Sequence, residues 1–242
     1  MPSAEQTAAR YAARTQLVAA QIVDFIYDNG STFTHAQLVD VISKLNLNEL
    51  MLGLGGQANI DSVLKEHLNI LQNMQRLAPI TGETLQALVE VNRTALLSAT
   101  ANASESLRGY LVQSVLGGKT RAEIKAGLAL IPEIKTANVN TIVDTMLRNF
   151  GRSVNAVMSE ALPQTQKYYY LGALDEKTRD ECLNMIMAGE LTRDEIDVQF
   201  PDAFLNGGGF NCRHSWVAVT SQTKELAGSP SVANTYLNEK KN

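Results

Sequence analysis

The sequence predicts a mainly α-helical protein, with a helical N-terminal body followed by a small α+β module. Apolar residues recur at helical spacing over roughly the first 160 positions, and aromatic residues make up only 6% of the chain. A strand-like aromatic run occurs only after Pro163. We therefore expect a helical body over 1–163, an α+β module over 164–222 and a polar tail over 223–242.

The first helices of the body are separated by glycine-rich breaks. Asn29-Gly30 and Gly53–Gly56 interrupt the helical spacing, and Thr34 with Gln37 forms a capping box that predicts a helix start. The apolar stripes are Tyr11, Val18, Ile22, Phe25 and Ile26; then Leu38, Val41, Ile42 and Leu45; then Val63, Leu64, Leu68, Leu71 and Met74. Residues three and four apart share one helix face, so these stripes predict core.

A longer helical stretch runs from about Thr81 to Leu116 and contains a polar run at 100–106, so one bent helix and two helices both fit. Gly117-Gly118 ends this stretch, and Thr120 with Glu123 forms a second capping box. After Pro132 a last long helix carries the apolar residues Val139, Ile142, Val143, Met146, Phe150, Val154 and Val157.

The module is predicted to contain two strands and a short helix. Tyr168–Leu171 and Trp216–Thr220 have the aromatic and β-branched content of strands. Thr192 with Glu195 predicts the start of a short helix between them. The loop 206–209, Asn-Gly-Gly-Gly, predicts a turn before the second strand.

Composition excludes several broad classes. The net charge of −4 gives no general basic surface for nucleic acid, and no apolar run reaches the ~20 residues of a membrane span. The N-terminus, with Glu5 and Arg10, lacks the apolar stretch of a signal peptide. Two cysteines are too few for a disulfide framework, so we expect folding in a reducing cytosol.

Common catalytic and nucleotide-binding motifs are not met. Gly117-Gly118-Lys119-Thr120 follows a helix instead of a strand, and the first glycine of a phosphate loop would fall at Gln113. His35 and His67 have no serine or cysteine in an activating context, so we interpret them as surface or packing residues. The sequence therefore predicts no enzyme.

The most informative residues are Cys182, Cys212 and His214. Cys212 and His214 are two positions apart, so an extended segment directs both to one face, and pairing of the two strands would bring Cys182 near them. The set is compatible with a pair of packed thiols beside a histidine, with a zinc site or with a disulfide. A zinc site needs a fourth ligand, for which the oxygen donors in the segment are Asp175, Asp180 and Glu181.

The same segment resembles the C-terminal motif of the phage Mu F-like minor head proteins. In that family an aromatic strand leads to an Asp-x-x-Thr turn and a Cys or His, and an Asn-Cys-Arg-Cys-like ending follows. The matching residues here are Tyr170, Asp175, Thr178, Arg179 and Cys182, then Asn211, Cys212, Arg213 and His214. Upstream, Gly118, Thr120, Glu123, Ile124, Arg148 and Asn155 also resemble the family's helical approach to the motif, so the resemblance covers about 110–220.

Two departures from the family pattern concern the metal. His214 stands where the family more often has cysteine, and Gly207–Phe210 replaces the histidine that often precedes the Asn-Cys pair. The first change exchanges one zinc-compatible ligand for another, whereas the second removes a ligand.

The resemblance implies a phage minor head protein, present in multiple copies around the portal and needed for head assembly or genome exit. Its expected partners are portal and capsid proteins and packaged DNA, with no membrane. Its expected location is the virion head, after assembly in the host cytoplasm. Two alternatives stay open: a zinc-stabilised nucleic-acid-binding module, and a hydrolase or transferase that uses the residues Asp175–Cys182 and Cys212–His214.

Overall fold

The computed structural model describes residues 4–30, 32–74 and 81–220, and the predicted polar tail at 223–242 lies outside them. The helices of the body are α1 (Ala4–Asn29), α2 (His35–Lys44), α3 (Leu47–Met51), α4 (Gln57–Met74), α5 (Gly82–Leu116), α6 (Arg121–Gly127) and α7 (Thr136–Glu160). The elements that follow are β1 (Lys167–Leu171), α8 (Asp180–Met187), β2 (Leu191–Thr192), α9 (Arg193–Gln199), α10 (Ala203–Asn206) and β3 (Ser215–Ala218). The predicted fold class, a mainly helical body followed by a small α+β module, is confirmed.

The predicted capping boxes begin three of these helices. At Thr34, Thr120 and Thr192 the threonine side chain accepts a hydrogen bond from the third helical N–H. The Gln or Glu side chain at that third position bonds back to the cap residue, which satisfies two otherwise unpaired N–H groups at each helix start. Gly118, with a φ of 69°, lies between α5 and α6, a backbone conformation that glycine adopts without steric cost.

Residues 82–116 form one helix, α5, and not the two helices that the polar run at 100–106 also allowed. Thr100 and Ser104 are buried, and each hydroxyl donates to the carbonyl four residues earlier, at Leu96 and Thr100. Those bonds satisfy the hydroxyls inside the helix, so the polar run does not break it. The Gly53–Gly56 break is a π-helical turn, Leu52–Gly56, in which Gly55 has a φ of 129°.

The chain divides into two compact units. Unit 1 comprises Met1–Asn69 and Val89–Asp144, and unit 2 comprises Ile70–Leu88 and Thr145–Asn242. Within unit 2, the C-terminal half of α7 bonds the segments that follow it: Arg152 bonds the carbonyl of Leu205, and Asn155 bonds that of Trp216. Unit 2 therefore includes the C-terminal half of α7 as well as the strands.

Unit 1 is built on an apolar core supplied by several helices. Its buried members include Val18, Ile22, Ile26, Ile42, Leu107, Leu111, Ile124 and Ile134. At the edge of this core, Arg121 and Lys125 of α6 bind Asp24 of α1 at 2.6 and 2.9 Å. These bonds, with that from Lys125 the largest influence, lower the pKa of Asp24.

Unit 2 contains an antiparallel sheet with the strand order β2-β1-β3. The two strands predicted from the sequence pair with each other, and Tyr170 of β1 lies opposite Trp216 of β3. Tyr168, Tyr170 and Trp216 are buried and pack with Ile196 and Phe204 on one face of the sheet. The two-residue side-chain period of the strands places alternate residues in this core.

The sequence misassigned some positions. Phe25 and Ile142, predicted as core, are 44% and 40% exposed, because they lie at the edges of stripes whose centres already fill the core. Helix α8 was not anticipated. His35, predicted as a surface or packing residue, is exposed. The side chains of His67, Leu71 and Met74 are not among those that the structure describes. Across the described residues, no helix is both long and apolar enough to span a membrane.

Candidate metal centre in unit 2

Cys182, Cys212 and His214 form a buried group, which we call the Cys–His cluster. The two sulfur atoms lie 3.6 Å apart, and Sγ of Cys212 lies 3.9 Å from Nδ1 of His214. Each residue is at most 3% exposed, and both thiols are free. The predicted proximity of the three residues is therefore confirmed, and their potential ligand atoms lie within 4.8 Å of one another.

The chain reaches the cluster through a turn that ends at Asn211. Asn211 has a φ of 58°, in the left-handed region that asparagine tolerates better than most residues. The next residues are extended, so Cys212 and His214 are directed to the buried side while Arg213 is only half-buried. Cys182 comes from a different element, the first turn of α8.

The two halves of the motif are joined by an ion pair outside the cluster. The guanidinium of Arg213 donates two hydrogen bonds to the two carboxylate oxygens of Asp175. These bonds hold the pKa of Asp175 well below its usual range. The pair of Arg213 and Asp175 therefore joins the turn before α8 to the segment before β3.

Thr178 shapes the turn that presents Asp175. Thr178 is 2% exposed, and its hydroxyl donates to the carbonyl of Ala173 at 2.9 Å. The same hydroxyl accepts from the N–H of Asp175, while the Asp175 carboxylate accepts from the N–H of Lys177. Asp and Thr at this spacing therefore make a closed turn in which each side chain satisfies backbone groups.

The glycine loop before Asn211 packs directly on the sulfur atoms. A Cβ at Gly208 would lie 2.5 Å from Sγ of Cys182, and one at Gly207 would lie 3.1 Å from Sγ of Cys212. Arg179 binds the carbonyls of Gly208 and Phe210 and so fixes the loop against the start of α8. Only residues without a side chain allow this close approach.

A buried arginine holds the segment that carries Cys212 and His214. Arg152 is 1% exposed, and its guanidinium donates to the carbonyls of Leu205, Cys212 and His214 and to the side chain of Asn149. Burial lowers the pKa of Arg152, an effect that the nearby Cys212 sulfur opposes. Nothing in the sequence distinguished this arginine from an exposed one in the middle of a helix.

The pKa values of the two thiols in the cluster are shifted in opposite directions. Hydrogen bonds from Cys182 and then from His214 and Tyr170 lower the pKa of Cys212. The bond to Cys212 and then burial raise the pKa of Cys182. The Tyr170 hydroxyl lies 3.2 Å from Sγ of Cys212, and its pKa is raised, first by burial and then by that bond. The two thiols therefore titrate as a coupled pair, with the hydrogen bonds of the cluster favouring negative charge on Cys212.

Two of the distances between the ligand atoms of the Cys–His cluster are close to those of a tetrahedral zinc site. Tetrahedral coordination with ordinary zinc bond lengths places two sulfurs roughly 3.8 Å apart and sulfur and nitrogen roughly 3.6 Å apart. The values here are 3.6 Å between the sulfurs and 3.9 Å from Cys212 to His214. The third pair, Cys182 and His214, lies within 4.8 Å, so the Cys–His cluster could hold a metal ion.

The fourth ligand predicted from the sequence is not among the acids of the segment. Within the described residues, the metal-compatible group contains Cys182, Cys212 and His214 and no carboxylate. Asp175 instead binds Arg213, and Asp180 and Glu181 are exposed. They lie at the start of α8, where acidic side chains interact favourably with the helix dipole.

No protein-family model, curated protein or solved structure matches this chain. The site's own residues therefore carry the functional argument. Sequence spacing identified the group Cys182, Cys212 and His214. Sequence reasoning did not find the roles of Arg152 and Gly208. For Gly208, the run of three consecutive glycines was the one signal in the sequence that could have indicated a close approach of the backbone.

Proposed function

We propose that this protein is a phage minor head protein of the Mu F-like type, a structural component bound at the portal vertex or the capsid interior. One observation carries the proposal. The residues that resemble the family motif, although about 30 positions apart in two segments, belong to one interlocked arrangement. Asp175 pairs with Arg213, and Cys182 contacts Cys212.

The position of each motif residue supports a scaffold more than a reaction centre. Thr178 closes a turn, Arg179 binds loop carbonyls, and Asn211 supplies a left-handed backbone position. The thiols of Cys182 and Cys212 are 2% and 3% exposed, so a substrate has no path to either sulfur without opening the module. We therefore propose that the protein has no catalytic turnover.

The proposal is tested on particles from the organism that carries the gene. Particles are separated on a density gradient, and each fraction is probed for this chain and for the portal and major capsid proteins. We expect the chain to sediment with portal-containing particles, in far fewer copies than the capsid protein. Recovery only in the soluble fractions, with particles assembled normally, would contradict the proposal.

A variant pair links this test to the motif. Asp175→Asn removes one charge of the pair with Arg213, whereas Glu176→Gln changes the exposed acid next to it. We expect Asp175→Asn to reduce incorporation into particles and Glu176→Gln to leave it unchanged. Equal incorporation of both variants would show that the motif is not used in assembly.

We also propose that zinc occupies the Cys–His cluster and stabilises the module. Two thiolates and an imidazole are ligands that zinc prefers, and a small module with a limited core gains disproportionately from a metal. Zinc would be held by Cys182, Cys212 and His214, and the fourth position would be filled from outside this group. The bound ion would hold α8 against the segment before β3.

Elemental analysis and thiol titration distinguish the three states of the cluster. Protein purified without chelators should contain zinc in proportion to chain concentration, and Cys212→Ser should lose it. His35→Asn, which changes an exposed histidine in unit 1, should retain it. Absence of metal with two titratable thiols after unfolding would establish packed thiols, and absence of titratable thiols would establish a disulfide.

A further inference from the structure

The burial of the Cys–His cluster limits what can complete a metal site there. Cys182, Cys212 and His214 are buried, and Gly208 packs directly on the sulfur of Cys182. A catalytic zinc site keeps one position open to water, whereas a structural site is closed by four protein ligands. An ion held by three buried side chains has no direct route to solvent, so its fourth ligand should come from the protein.

The hydroxyl of Tyr170 lies beside the ligand atoms of the cluster. Its oxygen is 3.2 Å from Sγ of Cys212, and it also interacts with the sulfur of Cys182. Ordinary zinc bond lengths place a ligand oxygen roughly 3.5 Å from a ligand sulfur in a tetrahedral site. The position of the Tyr170 oxygen is therefore close to that of a fourth ligand.

Packing fixes the Tyr170 side chain in this position. Tyr170 is buried, and its ring stacks on the imidazole of His214 with 5.4 Å between the ring centroids. Trp216, opposite Tyr170 on β3, packs against the same ring with a centroid distance of 5.0 Å. A side chain that is held by its neighbours loses little further freedom when its oxygen binds an ion.

The charge of the groups around the cluster favours an anionic fourth ligand. Arg152 is buried, and its guanidinium binds three backbone carbonyls and the amide oxygen of Asn149, which are all neutral. Zinc with two thiolates and an imidazole carries no net charge, so it would not offset this cation. An added Cβ at Gly207 would lie 2.9 Å from the Tyr170 oxygen and 3.1 Å from Nη1 of Arg152, so these two groups are close together. Negative charge on Tyr170 favours the charged form of Arg152.

We propose that the hydroxyl oxygen of Tyr170 is the fourth zinc ligand and closes the Cys–His cluster as a structural site. This inference rests on the zinc occupancy proposed above and adds the residue that completes the coordination. The phenol releases its proton to solvent on coordination, because a bound zinc ion favours the anionic form of its oxygen ligand. The site then ties β1 to α8 and to the segment before β3.

Zinc titration of the metal-free, full-length protein tests this ligand. At neutral pH, added zinc should produce the ultraviolet difference spectrum of ionised tyrosine in proportion to the zinc bound. Tyr170→Phe keeps the ring and removes the oxygen, so this signal should disappear and about one proton fewer should be released per zinc. Competition with a chelator should show a zinc affinity at least about tenfold weaker in Tyr170→Phe.

Tyr168→Phe is the matched control. Tyr168 is a second buried tyrosine of β1, two positions earlier on the same face of the sheet. This variant should give the tyrosinate signal, the proton release and the zinc affinity of the original protein. Equal weakening of zinc binding in both variants would overturn the role of Tyr170, because the loss of any buried hydroxyl in the module would then have the same effect.

The same titration separates the failure of this inference from the failure of the zinc proposal. Zinc bound without a tyrosinate signal, and equally tightly by Tyr170→Phe, would overturn the fourth ligand and leave the zinc site in place. No zinc binding by the original protein would overturn both. Metal-free Tyr170→Phe should melt at the temperature of the metal-free original, since its ring packing is kept. A lower melting temperature, combined with weaker zinc binding and no tyrosinate signal in the original protein, would assign Tyr170 to packing alone.

Discussion

At the scale of single residues, Arg152 contributes most to the geometry of the Cys–His cluster. Its guanidinium is desolvated, and its N–H groups are used on three backbone carbonyls and one side-chain oxygen. Two of those carbonyls belong to Cys212 and His214. A buried cation is costly unless it is fully hydrogen-bonded, and here the bonds hold the segment that carries two of the three cluster residues.

We expect Arg152→Met to lower the free energy of unfolding by about 3 kcal/mol, because it leaves buried carbonyls without donors. It should also lower metal content, because the Cys212–His214 segment loses its attachment to α7. Urea unfolding monitored by Trp216 fluorescence measures the first effect. The control is Arg148→Met, one turn earlier on the same helix, for which a loss of comparable size would contradict the special role of Arg152.

Gly208 permits the close approach of the loop to the cluster. Its added Cβ would lie 2.5 Å from Sγ of Cys182, so Gly208→Ala must displace the loop or the sulfur. We expect a loss of roughly 1–3 kcal/mol of stability and a weaker metal affinity. Thermal unfolding and metal competition measure both.

Gly151→Ala is the matched control for this change. Gly151 lies inside α7, and a Cβ there would meet nothing within 4 Å. The substitution should therefore stabilise the protein by up to ~1 kcal/mol, since alanine loses less backbone entropy in a helix. Destabilisation by both variants would show that the effect at position 208 does not come from the sulfur contact.

At the scale of elements, the turn before α8 and the segment before β3 are held together by Asp175 and Arg213. The paired carboxylate has a lowered pKa in the folded protein. Its contribution to stability is fully present above the unfolded value of about 3.9 and is lost as the pH falls through the lower, folded value. The stability of unit 2 should therefore fall with acidification below about pH 4 in part because of this pair.

The pH dependence can be isolated by substitution. We expect Asp175→Asn to lower the urea midpoint at pH 6 and to lower it progressively less as the pH decreases below about 4. Asp40→Asn, which breaks the more exposed pair with Lys44, should have little effect at either pH. A constant difference between Asp175→Asn and the original protein across this range would exclude the ionised carboxylate as its cause.

The elements that the sequence predicted best are those with local start and stop residues. Thr34, Thr120 and Thr192 each begin a helix through bonds that involve residues only three positions away, so their effect is visible in the sequence. Helix α8 was missed because its N-cap, Arg179, makes no side-chain cap and its eight residues give little periodicity. The role of Arg152 depends on carbonyls more than 50 positions away, which no local pattern encodes.

At the scale of the whole molecule, the chain combines two compact units of different construction. Unit 1 is a set of helices around a shared apolar core, and unit 2 combines a three-stranded sheet with helices. Unit 1 also exposes apolar side chains that its own core does not use, among them Leu17, Val91, Leu116 and Leu130. Single exposed apolar residues of this kind are ordinary on a protein surface.

We expect the helical body to supply most of the contacts that this protein makes with other virion subunits. If the proposed function holds, most cross-links to portal and capsid proteins should come from the helical body at 1–160. Leu130 is 80% exposed, and Leu130→Asn should reduce incorporation into particles without lowering the melting temperature. Val198, 81% exposed in the module, gives the matched control Val198→Asn, which should be incorporated normally. Cross-links confined to residues 164–222, or a loss of incorporation only in the Val198 variant, would assign the contacts to the module instead.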